Sequence, residues 1–540
     1  MPLILGPVLR HVGDTTATVW VQTEEAAEVE VLGCSARTFE VQGCHYALVS
    51  VQRLTADSTT EYQVHVDGVK VWPEPDSEFP PSVIRTRGPD AADRLRVIFG
   101  SCRYPKTGDA ALDDKLGLDA LDCYAARLTA LPVEEWPDAL ILLGDQVYAD
   151  ELTPESRRRL AGRRAVGQRP PDEVVTFKEY EGLYRHTWGD PDIRWILSTL
   201  PTAMIFDDHD IRDDWNTSAA WRAEINEKRW WRDRIRAGLG SYWVYQHLGN
   251  LSPAELAVDE DYQRVLAAGG DCWPHLVDLA DRADSEVDGD KGLRFSYRWD
   301  LGRSRLIMID SRNARILDSG DRKMLGDREF SWLEAQVNDG LDELDHLILG
   351  SSLPWLLPPA IGDMQTVNEI GANRPGRRGR LAEKVRQTAD LEHWAAFLKS
   401  FLRLSELIIG VATRPSPGPA TVTVLSGDVH HSYAARAEFP GPSTSRVHQL
   451  VCSPVHNYVP TYVKPVFKLG WSPRVARVTR RWARRHGAPP LPMSWKSLGR
   501  PLFGNTIAVL DTTGRSAEVV FEQPRDSAEL SAVARFSLTD

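Results

Sequence analysis

The stretch LILLGDQVYAD, from Leu140 to Asp150, decides how this chain is read. Apolar residues run unbroken into Gly144, and Asp145, Tyr148 and Asp150 follow within six positions. Such a run reads as a strand buried on both faces, the habit of sheets covered by helices. Gly-Asp is also ordinary turn chemistry, so the stretch alone leaves open whether the polar residues bind a ligand or merely end a strand.

Working outward, the same texture recurs. LRVIFGSC (95–102), TAMIFDDHD (202–210), RLIMIDSR (305–312), HLILGSSLPW (346–355), TVTVLSGDVHHSY (421–433), VHQLVCSP (447–454) and IAVLDTT (507–513) are apolar runs that stop at polar clusters. Helical segments such as DALDCYAARLTAL and PDIRWILSTL lie between the early ones. Strands alternating with helices predict a sheet covered on both faces, with ligands at the carboxyl ends of its strands. The segments near 150–190 and 215–290 read as insertions over those ends.

The first part of the chain differs. TATVWVQT, EVEVL, HYALVSV and EYQVHV alternate at period two between Gly, Asp and Ser turns, which predicts a β-sandwich with one wet face per sheet. A linker rich in proline and acids follows, and the boundary is placed near residue 90. The expected class is α+β, with a sandwich over 1–90 and a catalytic domain over 91–540.

Bulk properties exclude several classes. A net charge of −12 argues against general nucleic-acid binding, which needs a positive surface. Six scattered cysteines do not form a disulfide framework. The N-terminus MPLILGPVLRHVGD has no basic leader with a long apolar core, and no apolar run reaches membrane-span length, so the expected location is cytoplasmic.

Taken together, the strand ends supply Cys102, Asp145 and Tyr148, then Asp207, Asp208 and His209, then Ser351 and Ser352, and finally Asp428, His430 and His431. Each has a bland alternative: a buried thiol, a packed tyrosine, a solvated acidic turn, a capping histidine. Their convergence on one sheet edge favours a metal site. Oxygen donors suit calcium, magnesium or manganese, while thiolate and imidazole suit iron or zinc. A carboxylate that bridges two cations allows them to clamp a phosphate and generate hydroxide.

GSC, GDxxY, DDHD and GDxH in this order resemble the alkaline phosphatase D (PhoD-like) family, relatives of the purple acid phosphatases within the calcineurin-like metallophosphatases. The resemblance spans most of the chain and implies an N-terminal β-sandwich followed by a four-layer αββα metallophosphatase domain. It further implies Fe3+ and Ca2+ as cofactors, with Zn2+, Mn2+ and Mg2+ as alternatives. Carried over residue by residue, Cys102, Asp145, Tyr148 and His430 become the iron ligands, with Asp145 bridging. Asp208 and Asp428 belong to the second cation, which Asp207, Asp213, Asp214 or Asn216 would complete. His209 assists the leaving group. One departure is plain: LGSSLPW lacks the superfamily's intervening-strand histidine, which pushes the second site towards a hard cation.

The implied activity is hydrolysis of phosphomonoesters, phosphodiesters or both by a metal-bound hydroxide. Asp210 is read as a candidate orienter of His209, and Asp150 as outside the site. Arg103, beside Cys102, reads either as a phosphate contact in the catalytic set or as a salt-bridged structural residue. The segment SPRVARVTRRWARRHG sets Arg474, Arg477, Arg481 and Arg484 at helical spacing beside Val475, Val478 and Trp482. It reads either as a packed helix with a basic outer face or as a surface for an anionic membrane, the latter making the substrate a phospholipid. A non-catalytic metal-binding scaffold is the remaining alternative. Trp215, Trp221, Trp230, Trp231 and Trp243 gather in one insertion and read as core rather than as a stacking platform. Oligomeric state is not legible.

Overall fold

The computed structural model describes residues 3–88, 93–165, 170–289, 293–318, 320–415, 418–459, 464–527 and 529–540. The alternating runs near the N-terminus form two antiparallel four-stranded sheets. One has the order Leu3–Val12, Ala17–Thr23, Cys44–Val51, Phe39–Val41; the other has Cys34–Arg37, Glu28–Val31, Val64–Val66, Val69–Trp72. Val19, Val21, Val29, Val31, Val49 and Val64 interleave between them as a separate core. The boundary read near residue 90 falls within 89–92, outside the described residues.

The expectation of one wet face per sheet fails for the first of these. Every residue of strand Ala17–Thr23 is buried. The outer face is covered by the chain's own insertions, whose aromatic rings pack on it. Trp20 meets Trp188 and Tyr245 at centroid distances of 6.1 and 5.2 Å, and Tyr46 meets Phe177 at 6.2 Å. A period-two pattern of Val, Trp and Tyr does not distinguish a wet face from one covered by a remote segment, because aromatic residues suit both.

Two further sheets form the larger body of the chain. A six-stranded sheet runs Thr202–Ile205, Ala139–Leu143, Arg94–Gly100, Ile507–Thr513, Ser516–Pro524, Leu530–Ser537. Its first three strands are parallel and its last three form an antiparallel meander. A seven-stranded sheet runs Tyr297–Leu301, Ser304–Ile309, His346–Ser351, Thr421–Ser426, Arg446–Val451, Tyr433–Glu438, Ser494–Ser497. Strand alternation fixes the layers. Leu306 and Met308 join the core that contains Ile98, Leu140 and Ile141 of the other sheet, whereas Ile307 and Ile309 pack with Phe330, Leu333 and Phe401 of outer helices. Sheet lies on sheet, with helices outside.

The insertions are helical: Pro154–Arg163 and Phe177–Trp188 in the first, and five helices from Ala219 to Asp284 in the second. Residues 166–169 and 290 of these segments lie outside the described residues. Trp215, Trp231 and Trp243 are buried, in keeping with core packing. All six cysteines are free thiols.

Candidate metal centre

Parallel strands deliver their carboxyl ends to one edge, and the turns found there are sharp. Cys102, Asp145, Asp428 and His430 all have positive φ, at 57°, 53°, 65° and 47°. Non-glycine residues adopt this region seldom and at a cost of about 1–3 kcal/mol each, and such strain clusters at functional sites. Gly144 has φ 109°, and a Cβ there would stand 2.5 Å from the Cβ of Asp207. Only glycine lets the strand end Leu143–Asp145 lie against the neighbouring strand end, which answers why the run LILL stops at Gly-Asp.

That approach brings Asp145, Asp207 and Asp208 together, with one carboxylate oxygen of each lying within 4.8 Å of the others. All three are buried. Burial pushes the Asp145 and Asp207 carboxyls well above the ordinary range; His209 and Arg312 respectively oppose the rise, and the neighbouring carboxylates add to it. Among the described residues, Asp145 Oδ1 and Asp207 Oδ2 have no hydrogen-bond donor although both are buried. Burying an unpaired carboxylate oxygen is costly, and a cation is the partner that removes the cost. The donor set therefore fits metal.

The other expected ligands surround this cluster. Cys102 Sγ lies 3.7 Å from the Asp428 carbonyl and 3.2 Å from both Ser101 Oγ and Ser453 Oγ. Burial raises its thiol pKa, and the charges of Asp145 and Asp428 add to that rise. Tyr148 is likewise raised by burial and then by Asp145; its hydroxyl accepts from Asn457 Nδ2 at 2.9 Å. Burial lowers His430 to about 4, keeping the imidazole neutral as a ligand must be, with Asp428 and His209 as its charged neighbours.

His209 is held from the side. Its Nδ1 lies 2.9 Å from Asp150 Oδ1, and its ring lies 4.9 Å from that of Tyr148. Burial opposes the charged form of each partner, but the mutual attraction overcomes it. Asp150 is held down at about 2, helped by Arg234 and the Asp213 N–H, and His209 rises well above its usual value. This corrects the reading of Asp150 as a bystander. Asp210, expected to orient His209, instead accepts the backbone N–H groups of Asp145 (3.0 Å), Val147 (3.3 Å) and Asp207 (2.9 Å). It also accepts Gln246 Nε2 at 3.0 Å, from the π-helical turn Trp243–His247. Asp210 ties two strand ends together rather than steering the histidine.

Arg103 is corrected as well. Its Nε pairs with Asp119 at 2.7 Å, and its guanidinium also engages Asp122 at 3.3 Å and the Thr187 carbonyl at 2.9 Å. These buried partners occupy the fork, so Arg103 takes the structural option and leaves the catalytic set. The arginine that does enter the site is Arg312, fully buried at the end of strand Ser304–Ile309. It pairs with Asp207, with Asp208 at 3.2 Å, with Glu392 at 2.5 Å and with Asp428 at 3.5 Å. Glu392 is shared with Arg315 at 3.2 Å and Thr217 Oγ1 at 2.7 Å.

The sequence reading also missed His393. Gln365 Nε2 donates to its Nδ1 at 2.9 Å, so Nε2 carries the proton and donates to Asp428 Oδ2 at 2.8 Å. A nitrogen thus stands beside the Asp428 carboxylate, supplied by a loop and not by a strand end. Arg312 ends the run RLIMIDSR, so the rule that polar clusters follow apolar runs had already marked its position. His393 follows no strand and carries no such signal.

Residues 126–476 match the PhoD-like phosphatase family, and residues 1–84 match a domain of unknown function, DUF7800. No curated protein matches. The fold resembles the structure of PhoD, with TM-score 0.60 and 13% identity over 99% of this chain and 90% of that one. Purple acid phosphatase PPD1 from yellow lupin (Lupinus luteus) seeds aligns at TM-score 0.49 and 12% identity, over 98% of this chain and 73% of that one. The family match extends over more than half of the 540 residues and takes in the GDQVY, DDHD and GDVH strand ends. The chain belongs to the PhoD-like phosphatase family.

Proposed function

We propose that this protein is a phosphoester hydrolase acting on phosphomonoesters, phosphodiesters or both, through a two-cation site. The supporting observation is the buried Asp145–Asp207–Asp208 cluster with two carboxylate oxygens lacking donors. Cys102, Asp145, Tyr148 and His430 would hold an iron-like cation, and Asp145, Asp208 and Asp428 a hard, calcium-like one. Bound there, the cations supply Lewis acidity, neutralising phosphoryl oxygens and acidifying a water.

The chain's own residues do the rest. Asp150 fixes His209 through Nδ1, leaving Nε2 as the proton donor for the departing oxygen. Arg312 opposes protonation of Asp207, Asp208 and Asp428 and draws the three carboxylates towards one volume. Asp210 locks the backbone beneath Asp145 and Asp207, so the ligands are placed before substrate arrives.

The first test is metal content with the visible absorption spectrum of Asp145→Asn beside the native chain. The native protein is expected to carry iron with a tyrosinate charge-transfer band and to hydrolyse aryl phosphates or bis-aryl phosphodiesters. The variant should lose both metal and turnover. Full activity in a variant that retains no metal would refute the assignment. Zinc or manganese without the band would keep the phosphoesterase but take Tyr148 off the metal.

A further inference from the structure

Helix Pro473–Arg485 carries six arginines and no acidic residue, in a chain whose net charge is −12. One of them is structural. Arg480 pairs with the buried Asp363 at 2.8 Å, Thr479 Oγ1 bonds the same carboxylate at 2.9 Å, and Ala483 is fully buried. These three fix which side of the helix faces the protein. On the opposite side, Arg474, Val478, Arg481 and Arg485 follow i, i+4, i+7, i+11 spacing, so they form one outward line. None of the outward arginines has a carboxylate within ion-pair distance among the described residues, and Val478 is 65% and Trp482 40% exposed.

The preceding helix, Lys464–Gly470, continues the pattern, with Val466 57% and Leu469 59% exposed. Its inward residue Phe467 stacks on His431 at 3.9 Å, one position from His430 of the metal centre. The helix Arg377–Thr388 packs on Pro359–Ala372, as Pro473–Arg485 does, and exposes Leu381 at 66% and Val385 at 45%. Arg374 Nη2 bonds the His486 carbonyl at 3.4 Å, tying the two regions together.

Unpaired arginines interleaved with exposed Val, Leu and Trp on a fixed helix face match what an interfacial helix presents to a charged bilayer: basic groups for the headgroups and apolar side chains for the acyl boundary. A purely polyanionic partner explains the arginines but leaves the apolar residues wet. We propose that the face built on helices Lys464–Gly470 and Pro473–Arg485 docks on an anionic lipid bilayer, setting the metal centre beside the membrane surface. Among the described residues no helix is long and apolar enough to cross a membrane, so the contact is peripheral.

Vesicle flotation of the full chain tests this without depending on turnover, so it stands apart from the hydrolase reading. The chain is expected to float with phosphatidylcholine–phosphatidylserine vesicles and not with phosphatidylcholine alone. Arg474→Glu/Arg481→Glu/Arg485→Glu should cut partitioning by on the order of 100-fold or more. Leu469→Ser/Val478→Ser should weaken it at unchanged charge, while Arg229→Glu, an exposed arginine elsewhere, should leave it unchanged. Native melting midpoints in each variant exclude misfolding. The idea is overturned if the native chain does not float with the mixed vesicles or if Arg229→Glu loses as much as the triple variant. Full retention of binding by the serine variant would also overturn it, because a polyanion or acidic protein would then suffice as partner.

Discussion

At the scale of single residues, the site works by holding groups where they would not rest unaided. Cys102, Asp145, Asp428 and His430 sit in left-handed backbone, and each aims a donor off a strand end that would otherwise continue past the site. His209 depends on Asp150 in the same sense. With a carboxylate held near pKa 2 on Nδ1, the ring keeps its orientation and its proton. Asp150→Asn is expected to lower kcat by about 10²-fold with little change in KM, the scale of general-acid assistance. The loss should shrink for aryl esters with acidic leaving groups, which need no proton, and metal content should stay native. An equal loss for all leaving groups would assign Asp150 to structure alone.

At the scale of elements, the apolar runs were legible because a doubly covered strand writes its whole length in Val, Ile, Leu and Met. Asp145 and Tyr148 were legible for the same reason, since the run ends immediately before them. Asp150 was not. Its value depends on His209 arriving from a different strand, Thr202–Ile205, and pairing distance is invisible along one stretch. His393, in the loop DLEHW, and Glu392 beside it were hidden likewise. Arg312 was overlooked because an arginine after a strand reads as surface charge, whereas four carboxylates of the fold converge on it in the interior. Arg103, read by its neighbour in sequence, proved to belong to Asp119 and Asp122.

Strand Arg446–Val451 shows the cost of burying a titratable group within a sheet. His448 is 1% exposed, and its Nδ1 lacks a hydrogen-bond partner among the described residues. Burial, with Arg436 and Arg446 adding to it, lowers its pKa from 6.5 to about 3. Below pH 6.5 the unfolded chain takes up a proton that the folded strand refuses until about pH 3, so stability falls across that window as pH falls. The share of His448 at pH 5 is about 2 kcal/mol. The melting midpoint should drop between pH 7 and pH 5, and His448→Gln should drop less over the same interval. Parallel curves for the two proteins would rule the histidine out as a source of acid sensitivity.

At the scale of the whole molecule, the N-terminal sandwich keeps a core of its own and is also tied into the larger body. Arg10, fully buried on strand Leu3–Val12, donates to Met204 Sδ (2.8 Å), the Gln246 carbonyl (2.6 Å) and Asn250 Oδ1 (2.8 Å). Met204 lies on the strand that leads to Asp207, and Gln246 is the side chain that holds Asp210. Arg10→Met removes a buried donor shared by three acceptors, of which Asn250 Oδ1 retains the Met204 N–H, and is expected to cost about 3 kcal/mol. Stability and turnover should decline together, read by thermal midpoint and by hydrolysis of an aryl ester. A native midpoint would show that the sandwich contributes no stability through this contact.

Arg312 is a cation that belongs to the covalent chain, and it cannot be chelated, exchanged or diluted away. Its guanidinium already offsets part of the repulsion among Asp207, Asp208, Glu392 and Asp428. The carboxylate wall can therefore close during synthesis without waiting for ions. On the proposed two-cation reading, metal is then expected to enter a finished protein, with its identity set by what the surroundings supply after folding.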